Sequence, residues 1–293
     1  MTAVVLSPTD LDAVVFDMDG VVTDTAGVHL AAWKRMFDDW LIARTTATGE
    51  AFTEFTAADY RTYVDGRRRE DGIAAFLASR GVWLPWGDDD DPSERDTVVG
   101  LGRRKNAYFL DRVAVDGVRA YESTVRLIHN LAATGVAVAV ISASRNVEPI
   151  LRGAGLDQLF SVVVDGQVAA ALHLPGKPDP AVFLEAARRL AATPGRTAVV
   201  EDAIAGVEAG RRGRFRLGIG VDRTGHPDAL RAAGADVVVD DLAEVTVRVD
   251  AGIGSGTGIG DGNETGIGDG IESWIGDGIG DGIGDGIESG GPA

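Results

Sequence analysis

Hydrophobic positions in the first 249 residues gather into short, nearly unbroken runs rich in Val and Ile: Ala13 to Phe16, Val136 to Ile141, Val162 to Val164, Thr197 to Val200, Leu217 to Val221 and Val237 to Val239. Apolar runs of strand length without alternation read as strands buried on both faces, the pattern of a parallel sheet. The segments between them have helical character, so a doubly wound α/β fold is predicted, a parallel sheet with helices on both faces. About 120 residues separate the first run from the second, far more than one crossover helix requires. Within that interval His29 to Trp40, Ala57 to Val64 and Asp71 to Ser79 place apolar residues at spacings of three and four, which predicts a small α-helical domain inserted after the first strand. The expected division is a core of residues 1–25 and 104–249 and a helical insert of residues 26–103. The acidic run Gly87 to Glu94, GDDDDPSE, reads as a solvated loop in or beside the insert, with a metal site as its lesser alternative.

From residue 250 the pattern stops. Residues 275–286 repeat Ile-Gly-Asp-Gly, and the segment around them offers almost nothing for a core. High glycine with regularly spaced negative charge predicts a disordered tail over 250–293. Calcium-binding β-rolls also use Gly and Asp, but on a nine-residue repeat rather than four. This tail holds nine Asp and Glu and no Lys or Arg, so it supplies much of the net charge of −17. Without it, 36 acidic against 28 basic residues leave a mildly acidic body at −8, with no electrostatic footprint for nucleic acid. The apolar runs fall far short of the roughly 20 residues of a membrane span, and the opening MTAVVLSPTD carries no basic region before an apolar one, so no secretory leader is predicted. The absence of cysteine excludes disulfides and thiolate metal sites. A cytoplasmic monomer, without membrane or nucleic-acid partners, is the expectation.

Candidate chemistry clusters where the buried runs end. Phe16-Asp17-Met18-Asp19-Gly20 sits at the end of the first run, and the carboxyl ends of strands are where doubly wound sheets bind ligands. Carboxylates at i and i+2 leave an extended chain on the same side, so Asp17 and Asp19 can face one phosphate while Met18 points away. Asp17 suits a nucleophile that forms an aspartyl-phosphate, provided a cation offsets the repulsion between two anions. Asp19 suits the acid and base that protonates the leaving oxygen and deprotonates the incoming one. Ser142-Ala143-Ser144-Arg145-Asn146 follows the second run, with hydroxyls and amides suited to a phosphate. Lys177 precedes Pro178-Asp179-Pro180 at the start of a further helix, and Glu201 and Asp202 close the Thr197 run. A Mg2+ ion could take oxygens from Asp17, Asp202 and the Asp19 carbonyl, with Glu201 direct or through water. Lys177 and Ser142 would hold the transferring phosphoryl group.

This set, in this order across residues 13 to about 240, resembles the haloacid dehalogenase superfamily of phosphotransferases, and within it the β-phosphoglucomutase subgroup. The subgroup's first motif continues into a Thr, a His and a Trp, matched here by Thr25, His29 and Trp33. Its Ser-Ala-Ser-Lys-Asn segment is matched by residues 142–146, with Arg145 in place of Lys. Its cap loop Gly-x-x-Arg-Glu-Asp is matched by Gly66 to Asp71, with Arg68 where a small residue is usual. The resemblance implies a small helical cap and implies that Arg69 grips the phosphate not being transferred. It also implies that Lys105 and Asn106 line the sugar site with Ser144 and Asn146, and that His29 assists proton movement and cap closure. The basic segment Arg211-Arg212-Gly213-Arg214 is a further departure, so the substrate can differ while the chemistry stays.

The implied reaction interconverts β-glucose 1-phosphate and glucose 6-phosphate through an aspartyl-phosphate and a sugar bisphosphate. A sugar-phosphate phosphatase with the same nucleophile is the alternative, since the two differ only in how well the cap excludes water. A non-enzymatic phospholigand-binding protein that works through its tail is the remaining reading.

Overall fold

The computed structural model describes residues 4–49 and 51–248. In chain order it runs β1 (Val4–Leu6), β2 (Ala13–Asp17), α1 (Ala26–Thr48), α2 (Ala57–Asp59) continuing into a π-helical turn (Tyr60–Val64), α3 (Arg69–Ser79), α4 (Val98–Asp116), α5 (Glu122–Ala133), β3 (Ala137–Ile141) and α6 (Val147–Gly153). Then come β4 (Val162–Val164), α7 (Gly166–Ala171), α8 (Ala181–Arg189), β5 (Thr197–Glu201), α9 (Ile204–Arg212), β6 (Leu217–Val221), α10 (Pro227–Ala233), β7 (Val237–Val239) and β8 (Val245–Val247).

Six strands form one parallel sheet in the order β4-β3-β2-β5-β6-β7. They are the six apolar runs of the sequence. The β2 strand lies at the centre, with β3 on one side and β5 on the other, so the chain winds outward in both directions from it. That reversal opens a crevice at the carboxyl end of β2, where Asp17 sits. Alternation along β2 sends Val14 and Phe16 into one core cluster and Val15 into the cluster on the opposite face, beneath α8 and α9. Met18 is fully buried with the first of these, as its position between two outward carboxylates requires. The additional pair β1 and β8 forms a separate two-stranded parallel sheet that the hydrophobic pattern did not announce.

The insert has a core of its own. Phe37, Phe55 and Phe76 are fully buried and meet ring against ring at centroid distances of 4.3–4.9 Å, with Trp33, Met36, Ile73 and Leu101 packed around them. Leu101 belongs to this cluster and Phe109, two turns further along α4, to the sheet's, so one unbroken helix contributes to both. The acidic run differs from a solvated loop at one position. Asp91 is buried because Thr97 Oγ1 donates to it at 2.7 Å and the Asp88 amide at 3.2 Å, while Arg95 pairs with its other oxygen at 2.5 Å. Asp88, Asp90 and Asp91 approach one another closely enough to hold an ion, but Asp91 is committed to these structural bonds.

Among the described residues no helix is long and apolar enough to cross a membrane. The repeat of residues 250–293, with the disorder expected of it, lies outside the described residues.

Candidate active site

Strand ends bring the acids together. Asp17, Glu201 and Asp202, from the ends of β2 and β5, place carboxylate oxygens within 4.8 Å of one another. Lys177 reaches between Asp17 and Glu201 and donates to both, all three side chains being buried. The second oxygen of Glu201 accepts from the Ala203 amide at 2.8 Å, which leaves Asp17 and Asp202 as the less committed oxygens. Burial pushes Asp17 well above the ordinary carboxylate range; Lys177 opposes the shift, and Glu201 and Asp19 add to it. Burial likewise raises Asp202, with Asp65, Glu201 and Asp17 adding repulsion. Lys177 is held above its usual value because Asp17 and Glu201 outweigh the cost of burying it. A cluster of hard oxygen donors with too little positive charge fits a divalent cation.

Asp19 has a different environment. Thr25 Oγ1 donates to its Oδ1 at 2.5 Å and Ser142 Oγ to its Oδ2 at 3.1 Å. His29 Nε2 stands 3.2 Å from Oδ1, off the line of a hydrogen bond. Burial alone would raise the Asp19 carboxyl, but His29 and these two hydroxyls hold it well below the usual range, as the carboxylate. Both of its side-chain oxygens therefore accept from hydroxyls, and Asp19 stands apart from the Asp17, Glu201 and Asp202 group. Gly20 follows with φ +83°, and a Cβ there would stand 1.9 Å from Asp202 Oδ2. Only glycine allows the two motifs to approach this closely.

The far end of the cleft is basic. Arg69 Nη2 and Asn146 Nδ2 both donate to Asn106 Oδ1 at 2.8 Å. Burial lowers the Arg69 guanidinium's hold on its proton, and Arg145 adds like-charge repulsion. Asn106, Arg145 and Asn146 line an adjoining pocket with Arg69 rather than the cavity of Asp17, and two guanidiniums with half-buried amides between them form a setting for an anion. Lys105 is buried over the rings of Trp33 and Phe109, 5.0 and 4.8 Å from their centroids, and lies 2.7 Å from His29 Nδ1. Burial, followed by the Arg69 charge, pushes Lys105 well below the usual lysine range, and which of the two nitrogens donates in this contact follows the imidazole tautomer. His29 stacks on Phe109, and burial followed by the Lys105 charge lowers its proton affinity.

Ser144 behaves otherwise than a free phosphate donor. Its amide donates to Ser142 Oγ at 3.0 Å and its Oγ accepts from the Asn146 amide at 3.1 Å, so both amides are spent on the loop itself. Gly66, at φ +69°, lets the cap loop rest on the core: a Cβ there would be 2.9 Å from that of Ala203. The Arg68 stem packs over Gly176 in the loop before Lys177. Asp17, Asp19, His29, Trp33, Gly66, Arg69, Lys105, Ser144, Lys177 and Asp202 line one cavity of about 60 Å3. Tyr60, Asp65 and Arg67 line it as well and had no signal in the sequence beyond their nearness to Gly66. Burial, with repulsion from Glu201, pushes Asp65 up to about 6.

The description haloacid dehalogenase-like hydrolase matches residues 11–214, the span that supplies almost all of these groups. The chain belongs to the haloacid dehalogenase superfamily. It is 47% identical over 242 residues to the β-phosphoglucomutase of Mycobacterium bovis, covering 81% of this chain and 92% of that protein, which sets it in the β-phosphoglucomutase-like subgroup as an enzyme. Over 150 residues it is 43% identical to the trehalose-phosphate phosphatase of Mycobacterium leprae, half of this chain and 33% of that one. A solved β-phosphoglucomutase from Clostridium difficile shares the fold with a TM-score of 0.63 at 22% identity, covering 80% of this chain and 92% of its own.

Proposed function

We propose that this superfamily member is a phosphosugar mutase that interconverts β-glucose 1-phosphate and glucose 6-phosphate. The observation that carries the reading is one cleft with opposite needs on its two sides: clustered carboxylates around Asp17, and the basic side chains of Arg67, Arg69 and Lys105 in the same cavity. A sugar bisphosphate satisfies both sides, and turning it over exchanges its phosphates between them.

The helical insert is the cap in this reading, and the free space beneath it, about 60 Å3, is well under the roughly 300 Å3 of a small-ligand pocket. The cap must open to admit substrate and close to exclude water. A divalent cation, taken as Mg2+ and held by Asp17, Asp202 and the Asp19 carbonyl with Glu201 behind them, supplies the positive charge that lets a carboxylate approach a phosphate. The sugar hydroxyl oxygen attacks the phosphorus of phosphorylated Asp17, the bond from phosphorus to Asp17 breaks, and the hydroxyl proton passes to Asp19. After the bisphosphate reorients, Asp17 attacks the other phosphorus and Asp19 returns the proton to the departing sugar oxygen. An Asp19 held ionised is ready for the base step, and His29 stands beside it with Nε2 3.2 Å from its Oδ1. Lys177 and Ser142 hold the moving phosphoryl group, and Thr25 positions Asp19. Arg69 holds the resting phosphate, with Arg145, Asn146 and Asn106 beside it; Lys105, Trp33, Gly66 and Ser144 line the sugar's side.

The likeness to a trehalose-phosphate phosphatase supports the rival in which water discharges the same aspartyl-phosphate. Purified protein given β-glucose 1-phosphate, Mg2+ and a trace of glucose 1,6-bisphosphate separates the two. Glucose 6-phosphate without free phosphate is the mutase outcome, and stoichiometric free phosphate sinks it.

A further inference from the structure

Arg223 lies just beyond β6, outside every motif of the site, yet its side chain reaches the first motif loop. Its Nε donates to the Gly20 carbonyl at 2.8 Å. Its Nη1 donates to the Asp240 carbonyl at 3.3 Å and stands 3.7 Å from the Asp241 carboxylate. The guanidinium lies flat over the ring of Tyr121, 3.7 Å from the centroid, and the Tyr121 hydroxyl donates to Asp24 at 3.0 Å.

Gly20 is where this matters. It follows Asp19 directly and is so close to Asp202 that no side chain fits between them. A displacement of its carbonyl by a few tenths of an ångström moves the Gly20 Cα against the Asp202 carboxylate and, one peptide back, pulls on the Asp19 carbonyl, two of the oxygens assigned to the cation. The same arginine, through Tyr121, braces the place where the chain enters and leaves the insert. There the Asp24 amide donates to the Arg119 carbonyl at 2.9 Å and the Tyr121 amide to the Val22 carbonyl at 3.0 Å.

We propose that Arg223 is a positioning residue that clamps the Gly20–Val21 peptide, one peptide beyond the Asp19 carbonyl, and so sets the geometry, and hence the affinity, of the divalent-cation site. The proposal rests on reading the Asp17, Glu201 and Asp202 cluster as that site. Groups one shell out from a metal alter its binding by about 10- to 100-fold when removed. Arginine suits the task because its rigid fork donates in two directions while its face stacks on an aromatic ring; lysine provides only a point charge on a flexible stem.

Calorimetric titration of Mg2+ into the metal-free protein tests the clamp without any turnover. Arg223→Ala should weaken binding at least about 10-fold, Arg223→Lys by an intermediate factor, and Asp202→Ala should remove most of it. Near-ultraviolet circular dichroism and thermal melting report folding in the same samples. If Arg223→Ala does not fold, Arg223→Met, which keeps a stem against Tyr121 and loses the donors, is read in its place. Mg2+ affinity within twofold of wild type in the donor-less variant, with Asp202→Ala abolishing binding, overturns the clamp and leaves the cation site standing. Unchanged affinity in Asp202→Ala overturns the cation site and the clamp with it. A fall in melting temperature without a change in Mg2+ affinity marks Arg223 as structural and contradicts the proposal.

Discussion

The two ends of the cleft differ in where their residues come from and in which charge they lack. At the sheet end, Asp17, Glu201 and Asp202 stand on strand termini, fixed by the parallel ladder, and only Lys177 sits among them. At the insert end, Arg69 opens α3, Asn106 lies on α4, and Arg145 and Asn146 lie in the loop after β3. The sheet end is short of positive charge and the insert end of negative charge. In the proposed reaction, catalytic precision rests on strand termini, while Arg69, assigned to the second phosphate, stands on the helical insert. A mutase needs this division, because the sugar bisphosphate must be held firmly at one phosphate and then released to turn.

The sharpest way to break the comparison is at the sheet end. Asp17→Asn should lose turnover by at least about 10^4-fold while circular dichroism stays unchanged, since no other carboxylate can take its place as nucleophile. Surviving activity would refute the assignment. At the insert end, Arg69→Ala should cost about 100-fold in kcat/KM for the phosphosugar, the range for removing one partner of a buried charged contact. Hydrolysis of p-nitrophenyl phosphate, which has no second phosphate, should change by less than about threefold. Equal losses on both substrates would mean that Arg69 serves the sheet end.

The electrostatic crowding itself can be measured in the metal-free protein. Asp65 holds its proton up to about pH 6 when folded against an ordinary 3.8, so the folded state carries the extra proton between these values and stability falls as pH rises through them. Asp65→Asn removes that loss. Its stability relative to wild type, from urea titrations at pH 4 and pH 7, should grow by up to about 3 kcal/mol, at roughly 1.4 kcal/mol for each tenfold in proton affinity. No growth would mean that Asp65 is not pressed by the acids of the core. The smallest effect is expected far from both ends: deleting residues 250–293 should leave kcat within twofold, because every group assigned to the reaction lies between Asp17 and Asp202. A large loss would give the tail a part in the site.

How much of this was legible in the sequence follows from burial and from chain distance. The six sheet strands were readable because both faces are covered, which makes their runs apolar without interruption. Val4–Leu6 and Val245–Val247 were not, because the middle position of each, Val5 and Thr246, is exposed and Thr246 breaks the apolar run. The insert's helices were readable from their periodicity, but the π-helical turn that carries Tyr60 toward the cleft was not, since no apolar spacing distinguishes it from an ordinary helix. Asp17, Asp19, Ser142, Lys177, Glu201 and Asp202 could be found because strand ends concentrate function and their order along the chain is informative. The structure adds that adjacent Glu201 and Asp202 have different surroundings, one bonded to Lys177 and the Ala203 amide, the other against Gly20. Asp65 reaches the site from a loop with no strand-end signal, and Arg223, although it follows the end of β6, carries no acid or motif to mark it. Arg223 meets Gly20 across about 200 residues, and only the fold makes them neighbours.

Running the reaction in water enriched in 18O tests the central claim most directly. With β-glucose 1-phosphate, Mg2+ and a trace of glucose 1,6-bisphosphate, a mutase passes each phosphoryl group from Asp17 to a sugar oxygen and never to water. The 31P spectrum should then show glucose 6-phosphate with no 18O in its phosphoryl group and no free phosphate above the enzyme concentration. Free phosphate carrying one 18O per molecule, formed in proportion to the substrate consumed, would contradict the account and make the enzyme a phosphatase.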